Sequence, residues 1–270
     1  MTSLINPLDR ESLRNRFRTA LPYPHMIIDN FLVPGAAEEI ARSYPTFEQA
    51  SAEGFVFNFV NEQRKVQITD SQKFPEPIRR LNEAISSPEF LADLEFITGI
   101  PRIVADEQLV GGGMHLTGSG GRLDVHVDFN LIEDRKLFRR LNILLYLNPV
   151  WNEAWGGHIE LWDKAVSTCH ARCVPALNRC LIFETSHISY HGVTRVTAPA
   201  DVTRQSFAAY YYTREAPPNW TGTAHSTIFR ARPDEKMRGL VQMPVEQLRR
   251  KVAEQVARSK KWVKGWMGLS

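Results

Sequence analysis

Cysteine is scarce in this chain. Its 270 residues contain three cysteines, Cys169, Cys173 and Cys180. An odd and small number excludes a disulfide framework of the kind that stabilises small secreted folds, and it favours a reducing compartment. The spacing of Cys169 and Cys173 also differs from the paired C-x2-C of structural zinc sites, so we do not expect zinc there.

A strong excess of one charge and long apolar runs are lacking as well. Lys and Arg total 33 against 30 for Asp and Glu, which gives no reason to expect a nucleic-acid partner. No apolar run approaches the roughly 18 residues of a membrane span, and the first residues lack the apolar core of a signal peptide. We therefore expect a cytoplasmic protein without a membrane partner. The 43% of hydrophobic residues is typical of a globular chain.

The residue pattern divides the chain into three stretches, which we expect to form one domain over 1–270. The first is mixed and mostly helical, the second is a β-rich core, and the third is a C-terminal extension; they cover 1–105, 106–214 and 215–270. Apolar spacing in the first stretch predicts helices over 8–20, 34–41 and 76–98, the last divided near Pro88.

Alternation of apolar and polar residues dominates the middle stretch. In residues 122–129 one face carries Leu123, Val125, Val127 and Phe129, and the other carries Asp124, His126 and Asp128. Similar patterns predict strands over 139–148, 158–162, 180–184 and 203–212. Short strands separated by Gly and Pro turns favour an antiparallel barrel or sandwich. The alternating Phe55, Phe57 and Phe59 predict another half-buried strand, which could line a substrate pocket.

The C-terminal extension contains apolar residues at helical spacing, namely Val245, Leu248, Val252 and Val256, among many basic residues. We interpret it as an amphipathic helix that packs on the core with a solvated basic face. Binding of an acidic partner or a membrane surface is the alternative.

The tripeptide His126-Val127-Asp128 is the most informative motif. Residues i and i+2 of a strand point to the same side, so its imidazole and carboxylate can bind one ion. An unpaired carboxylate inside a barrel is costly, and a divalent cation removes that cost. Two histidines and one carboxylate form the facial triad of non-haem Fe(II) oxygenases, which leaves three metal positions open.

The third ligand has to come from a distant strand. Of the eight histidines, His187 and His191 are the best placed. We favour His191, because Gly192-Val193 and then Arg204 on a predicted strand follow it. His187 is then a loop residue or one that orients a ligand from outside. His115 precedes the motif across a glycine-rich segment that we interpret as a turn or loop.

Four segments carry a family resemblance, in this order: His126-Val127-Asp128, Leu144–Asn148 with Trp155–Leu161, His191-Gly192-Val193, and Arg204-Gln205-Ser206. Together they resemble the Fe(II)/2-oxoglutarate-dependent oxygenase superfamily, in its prolyl-4-hydroxylase-like branch. Pro24–Leu32 is similar to the opening segment of that branch. The resemblance implies a mainly β fold, a double-stranded β-helix (a jelly-roll, cupin-like core), supported by N-terminal helices and a C-terminal helix.

The resemblance also implies roles for individual residues. His126, Asp128 and His191 would bind Fe(II). Arg204 would bind the distal carboxylate of 2-oxoglutarate, a role that suits a planar guanidinium, and Tyr146 and Ser206 would contact the same carboxylate. Dioxygen is the other cosubstrate and ascorbate a candidate reductant. His115 and His225 are candidate substrate contacts.

The expected activity is hydroxylation of an unactivated C–H bond of a small molecule, amino acid or peptide, with release of succinate and CO2. Family halogenases replace the carboxylate ligand by a small residue, so Asp128 argues for hydroxylation. Two other functions stay open. One is a cupin-like metalloenzyme that does not use 2-oxoglutarate, and the other is a non-catalytic β-sandwich binding module.

Overall fold

The computed structural model describes residues 3–218, 220–235 and 237–243. Their α-helices are α1 Arg10–Thr19, α2 Ala36–Arg42, α3 Phe47–Glu53, α4 Glu76–Ile85 and α5 Pro88–Thr98. Their strands are β1 His25–Ile28, β2 Phe55–Phe57, β3 Glu62–Ile68, β4 Val104–Ala105, β5 Gly113–Val127, β6 Leu131–Ile132, β7 Leu137–Tyr146, β8 Ile159–Trp162, β9 Cys169–Cys173, β10 Arg179–Glu184, β11 Tyr190–Val193, β12 Arg204–Thr213 and β13 Ile228–Arg230. Short helical turns lie at Ser71–Lys73, Glu153–Trp155 and Arg238–Gln242. The predicted C-terminal amphipathic helix lies outside the described residues.

Antiparallel pairing joins the strands of the described residues into one sheet, whose main path runs β1-β10-β7-β12-β5-β11-β8-β9. β5 organises it, because its first part pairs with β12, its second part pairs with β11 and β13, and β3 pairs with both parts. The change of partners falls at the glycine-rich segment before the His126 motif. That segment was interpreted as a turn or loop, and this was wrong: pairing on both edges overrides its low strand propensity.

The helices predicted over 8–20, 34–41 and 76–98 are present, with shifted ends. The division at Pro88 has a local cause, because Ser87 caps α5 by accepting a hydrogen bond from the Phe90 amide and Pro88 occupies the first turn. Pro34 lies just before α2, which begins at Ala36. The apolar faces of the helices pack on one side of the sheet in a continuous core that includes Phe17, Leu81, Leu94, Ile143 and Phe207.

Residues 1–105 also contribute to the sheet. β1 pairs with β10 and β3 pairs with β5, so this stretch forms part of the β core as well as its helical support. The division of the chain at residue 105 stays a prediction. Within the described residues, no helix has the length and apolar character to cross a bilayer.

Candidate metal and cosubstrate site

β5 and β11 bring the three predicted metal ligands together. His126 and His191 lie directly opposite each other in the antiparallel register. Asp128 follows β5 immediately, and its two oxygens lie 3.5 Å from the Nε2 atoms of the two histidines. One ligand atom from each residue lies within 4.8 Å of the others. In the part of the chain that the structure describes, no other group of His, Cys, Asp or Glu converges in this way, the cysteines included.

Backbone carbonyls orient both imidazoles. His126 Nδ1 lies 2.9 Å from the carbonyl oxygen of Asp124, and His191 Nδ1 lies 3.0 Å from that of Ser189. A carbonyl only accepts, so each Nδ1 carries the hydrogen and each Nε2 presents a lone pair. Burial, with the neighbouring His126, lowers the pKa of His191 to about 4. The imidazole is therefore neutral near pH 7, which is the form that binds metals.

Two further residues hold the Asp128 carboxylate. Asn142 Nδ2 donates to its Oδ2 at 2.8 Å, and Arg139 Nη2 lies 3.2 Å from the same oxygen. Burial by itself raises the pKa of Asp128, but Arg139 and the two imidazoles outweigh it and hold that pKa well below its usual value. The carboxylate is thus ionised, with one oxygen held by the protein.

Arg139 is itself fixed on several sides. Its Nε donates to Asn142 Oδ1 at 2.9 Å, and its guanidinium lies 3.5 Å from the ring centroid of Tyr210. Sequence reasoning missed Arg139 and Asn142. The alternation over 139–148 did place Asn142 on the polar face of its strand, and a buried polar residue beside a predicted ligand strand is the signal that could have found it.

Arg204 lies in the same cavity, and no ion pair joins it to an acidic side chain of the described residues. Its Nε donates to the Gly157 carbonyl at 2.7 Å, and its guanidinium lies 5.0 Å from the ring centroid of Tyr146. A Cβ at Gly157, whose φ is +69°, would come within 3.0 Å of the Arg204 side chain, so a glycine is needed for this approach. Among the described residues, no carboxylate lies within ion-pair distance of the Arg204 side chain.

Tyr146 and Ser206 are the other two residues that the resemblance assigns to the cosubstrate, and these assignments stay predictions. They lie opposite each other on β7 and β12, and both are buried. The Tyr146 hydroxyl has no hydrogen-bond partner in the described structure, and burial raises its pKa, so it stays protonated. Within the described residues, Arg204 is a buried cation without a counter-charge, and the Tyr146 hydroxyl beside it is a buried donor without an acceptor. An anionic ligand such as a carboxylate fits both.

A cavity of about 280 Å³ is lined by most of these groups. Its lining includes the three predicted metal ligands together with Arg139, Asn142, Thr117, Arg204 and Ser206. The rest of the lining is mixed. It includes charged side chains such as Glu62, Lys65 and Arg122, and apolar ones, among them Phe57, Phe129, Leu144, Ile159 and Phe229. The predicted metal ligands therefore share one cavity with Arg204 and Ser206, whereas Tyr146 is buried and is not part of the lining.

The two candidate substrate histidines differ in position. His115 lies on β5 and lines the cavity, where its Nε2 is 3.2 Å from the Gly111 carbonyl and burial holds its pKa well below the usual value. His225 is not part of the cavity lining; its amide donates to the Asn130 side chain at 2.9 Å. Thr227 and Phe229, just beyond it, line the cavity instead. Both substrate assignments stay predictions.

Comparison with known families agrees with this geometry. The 2OG-Fe(II) oxygenase superfamily matches residues 112–212, a range that includes all three predicted metal ligands and Arg204. This segment is thus similar to the 2OG-Fe(II) oxygenase superfamily. The predicted resemblance and the predicted Fe(II) and 2-oxoglutarate are thereby confirmed, and the donor set described above fits both.

The individual proteins to which the chain is similar include several prolyl hydroxylases. Prolyl 3-hydroxylase OGFOD1 of Mus musculus is 31% identical over 78 residues, which are 27% of this chain and 14% of that protein. A prolyl hydroxylase from Trichoplax adhaerens, in complex with a hypoxia inducible factor peptide fragment, superposes with a TM-score of 0.51 at 20% identity, over 75% of this chain and 90% of that one. A Pseudomonas putida prolyl-4-hydroxylase gives a TM-score of 0.51 at 17% identity, over 75% and 100%. The structural likenesses confirm the predicted double-stranded β-helix.

Proposed function

We propose that this chain is an Fe(II)- and 2-oxoglutarate-dependent dioxygenase that hydroxylates an unactivated C–H bond. One observation carries the proposal. One cavity joins a His-Asp-His trio, suited to Fe(II), to Arg204, a buried cation without an acidic partner among the described residues. A metalloenzyme that did not bind an anionic cosubstrate would have no use for that unpaired charge.

Each residue has a defined task in this proposal. His126, Asp128 and His191 bind the metal on one side, which leaves the other side open to exchangeable ligands. Arg204 binds the distal carboxylate of 2-oxoglutarate, and Tyr146 and Ser206 donate hydrogen bonds to it. When bound, iron and 2-oxoglutarate activate dioxygen, and oxidation of the substrate accompanies release of succinate and CO2.

The rest of the cavity wall orients the substrate and excludes water. Phe129 and Phe229 lie beside the metal-binding residues and provide an apolar wall, in which an unactivated C–H bond can pack without loss of hydrogen bonds. The low dielectric inside the cavity also strengthens the charge interactions of Arg204 and Asp128 with their ligands.

The substrate class that we put first is a prolyl residue in a peptide, with free amino acids and other small molecules second. The names of the relatives support this order, as does the position of the β2–β3 hairpin. Phe57 lines the cavity, Phe55 and Phe59 are exposed beside it, and the Phe55 and Phe57 rings lie 4.6 Å apart. Such an aromatic edge suits the apolar ring of a prolyl residue. The three free thiols support a reducing, cytoplasmic setting.

A turnover assay tests the proposal. The iron-loaded protein is incubated with 2-oxoglutarate and dioxygen against panels of prolyl peptides and free amino acids. We expect substrate-dependent succinate formation and a product that is heavier by one oxygen atom, both lost in His126→Ala and Asp128→Ala. Iron-dependent turnover without 2-oxoglutarate would favour the cupin-like alternative, and activity in the Ala variants would contradict a metal role.

A further inference from the structure

The chain returns to the metal-binding strand after the barrel is complete. β13 pairs with β5 so that Phe229 lies opposite His126, and the two rings are 5.3 Å apart. Arg232 and Arg238 follow, and both side chains reach back into the sheet. All of these post-barrel residues lie beyond the segment 112–212 that matches the superfamily. We call residues 228–235 together with 237 and 238 the return segment.

Arg232 bridges the two strands that carry the histidines. Its Nη2 donates to the Leu123 carbonyl of β5 at 3.3 Å and to the Val193 carbonyl of β11 at 3.2 Å. Its Nε donates to Glu160 on β8 at 2.8 Å. One side chain therefore connects three neighbouring strands of the sheet.

This bridge lies where the pairing of the two strands is irregular. His191 pairs with His126, but Val193 pairs with Leu123, so β5 has one extra residue at this point. Such a bulge interrupts the ladder of backbone hydrogen bonds, and the carbonyls beside it need other donors. Arg232 supplies them. Gly192 leaves space for it, because a Cβ there would come within 3.1 Å of Arg232 Nη2.

Asp124 links the return segment to the orientation of His126. Its side chain is 1% exposed, and its carboxylate lies 2.9 Å from Arg238 and 2.7 Å from Arg122. Arg232 Nη1 is 3.8 Å away. The main-chain carbonyl of the same Asp124 accepts the hydrogen bond that orients the His126 imidazole. Arginines that hold the side chain therefore also restrict the carbonyl to which His126 is bonded.

Arg238 adds a second attachment. Besides its contacts with Asp124, its Nη2 donates to the Val60 carbonyl in the β2–β3 hairpin. Within this buried group of charges, removal of one arginine leaves a carboxylate without full compensation. These buried ion pairs therefore restrict the movement of the Asp124 backbone, which lies close to the predicted metal ligand His126.

We infer that Arg232 and Arg238 are positioning residues for the metal site. They hold β5 and β11 at the bulge and fix the carbonyl that orients His126, so the return segment sets the affinity and geometry of metal binding. The inference rests on the proposed function, since it concerns the same site, but it assigns a role to chain outside the matched segment.

Metal binding by full-length variants tests this role. Co(II) serves as the probe, because its ligand-field absorption reports the geometry of the ligands. We expect Arg232→Met and Arg238→Gln each to weaken Co(II) binding by about tenfold and to alter its absorption, as is usual for residues that orient metal ligands. Arg232→Lys should recover only part of the affinity, because one ammonium cannot reproduce the fork of donors.

Arg195→Met is the matched control. Arg195 is exposed and also donates to a β5 carbonyl, that of Gly120, at 2.7 Å, but at a point remote from the histidines. Its loss should leave Co(II) binding unchanged. Equal weakening in this control, or wild-type affinity and absorption in both Arg232→Met and Arg238→Gln, would overturn the inference.

Two further outcomes are interpreted as follows. If circular dichroism shows that Arg232→Met does not fold, the folded Arg232→Lys and Arg238→Gln decide: unchanged Co(II) binding in both overturns the inference, and weakened binding supports it. A wild-type protein that binds neither Co(II) nor Fe(II) contradicts the proposed function itself, and this result is distinct from any difference among the variants.

Discussion

Arg204 and Arg139 lie in the same cavity and differ in one respect. Both are buried, with 5% and 3% of their surface exposed, and each guanidinium faces a tyrosine ring. Arg139 has a carboxylate beside it, that of Asp128 at 3.2 Å. Arg204 donates to a neutral carbonyl, and within the described ranges no acidic side chain reaches it. Asp128 compensates the charge of Arg139, whereas no acidic side chain of the described residues compensates that of Arg204.

This difference separates two kinds of buried charge. A compensated arginine contributes to the structure and to the electrostatics of its partner, here a predicted metal ligand. An uncompensated one is unfavourable in the free protein, because desolvation of a charge is costly. It becomes favourable when an anion binds, and the missing partner indicates the charge of the ligand.

Removal of the uncompensated cation should have the largest effect. In Arg204→Met we expect 2-oxoglutarate to lose about 3 kcal/mol of binding free energy, more than a hundredfold in Kd, because a buried charge-assisted pair is lost. Calorimetry on the Co(II)-loaded protein without dioxygen measures it. Co(II) affinity in the absence of 2-oxoglutarate should stay unchanged. Equal 2-oxoglutarate affinity in wild type and variant would remove Arg204 from the site.

Removal of the compensated cation should act on the metal instead. Arg139→Met leaves the Asp128 carboxylate with Asn142 as its remaining side-chain donor, so we expect Co(II) affinity to fall by about tenfold. The 2-oxoglutarate affinity of the metal-saturated variant should change far less than in Arg204→Met. If both arginine variants lost 2-oxoglutarate to the same extent, the distinction between the two cations would be wrong.

Tyr146→Phe tests the buried hydroxyl beside Arg204. The hydroxyl has no hydrogen-bond partner in the described structure, so its removal should leave the free energy of unfolding unchanged or raise it by up to about 1 kcal/mol. Binding of 2-oxoglutarate should weaken by about 1.5 kcal/mol, roughly tenfold, through loss of a hydrogen bond to a charged group. Denaturant unfolding and calorimetry measure the two effects. A destabilised variant with unchanged binding would contradict the role of Tyr146.

Local sequence patterns predicted what depends on local geometry. The alternation around His126 identified the strand and the shared side of His126 and Asp128, and the structure brings His191 to them. The division of the helices at Pro88 was predicted as well, because proline acts through its own backbone. The strand conformation of the glycine-rich part of β5 was not predicted, because it comes from pairing with β3 and β12 rather than from its own residues.

Residues that act over long sequence distances were missed for the same reason. Arg232 contacts Leu123 across 109 positions, and Arg238 contacts Asp124 across 114. No periodicity or motif connects such positions. The short β9 and β13 were missed too, since strands of five and three residues carry too few alternations to recognise.

The smallest predicted effect concerns Glu235, which pairs with the buried Arg122 at 2.5 Å. Burial alone raises the pKa of Glu235, but Arg122 and the nearby arginines lower it below its usual value. A carboxylate with a lowered pKa stabilises the fold above its unfolded pKa, and this stabilisation is lost as the pH falls through its folded pKa. Because Glu235 is partly exposed, Glu235→Gln should cost under about 1 kcal/mol at pH 7. Unfolding measured from pH 7 downwards should show the two proteins converging as the pH falls through the lowered pKa of Glu235, whereas exposed Glu107→Gln should match wild type throughout. A difference that persisted in acid would show that the hydrogen bonds of Glu235, and not its charge, compensate Arg122.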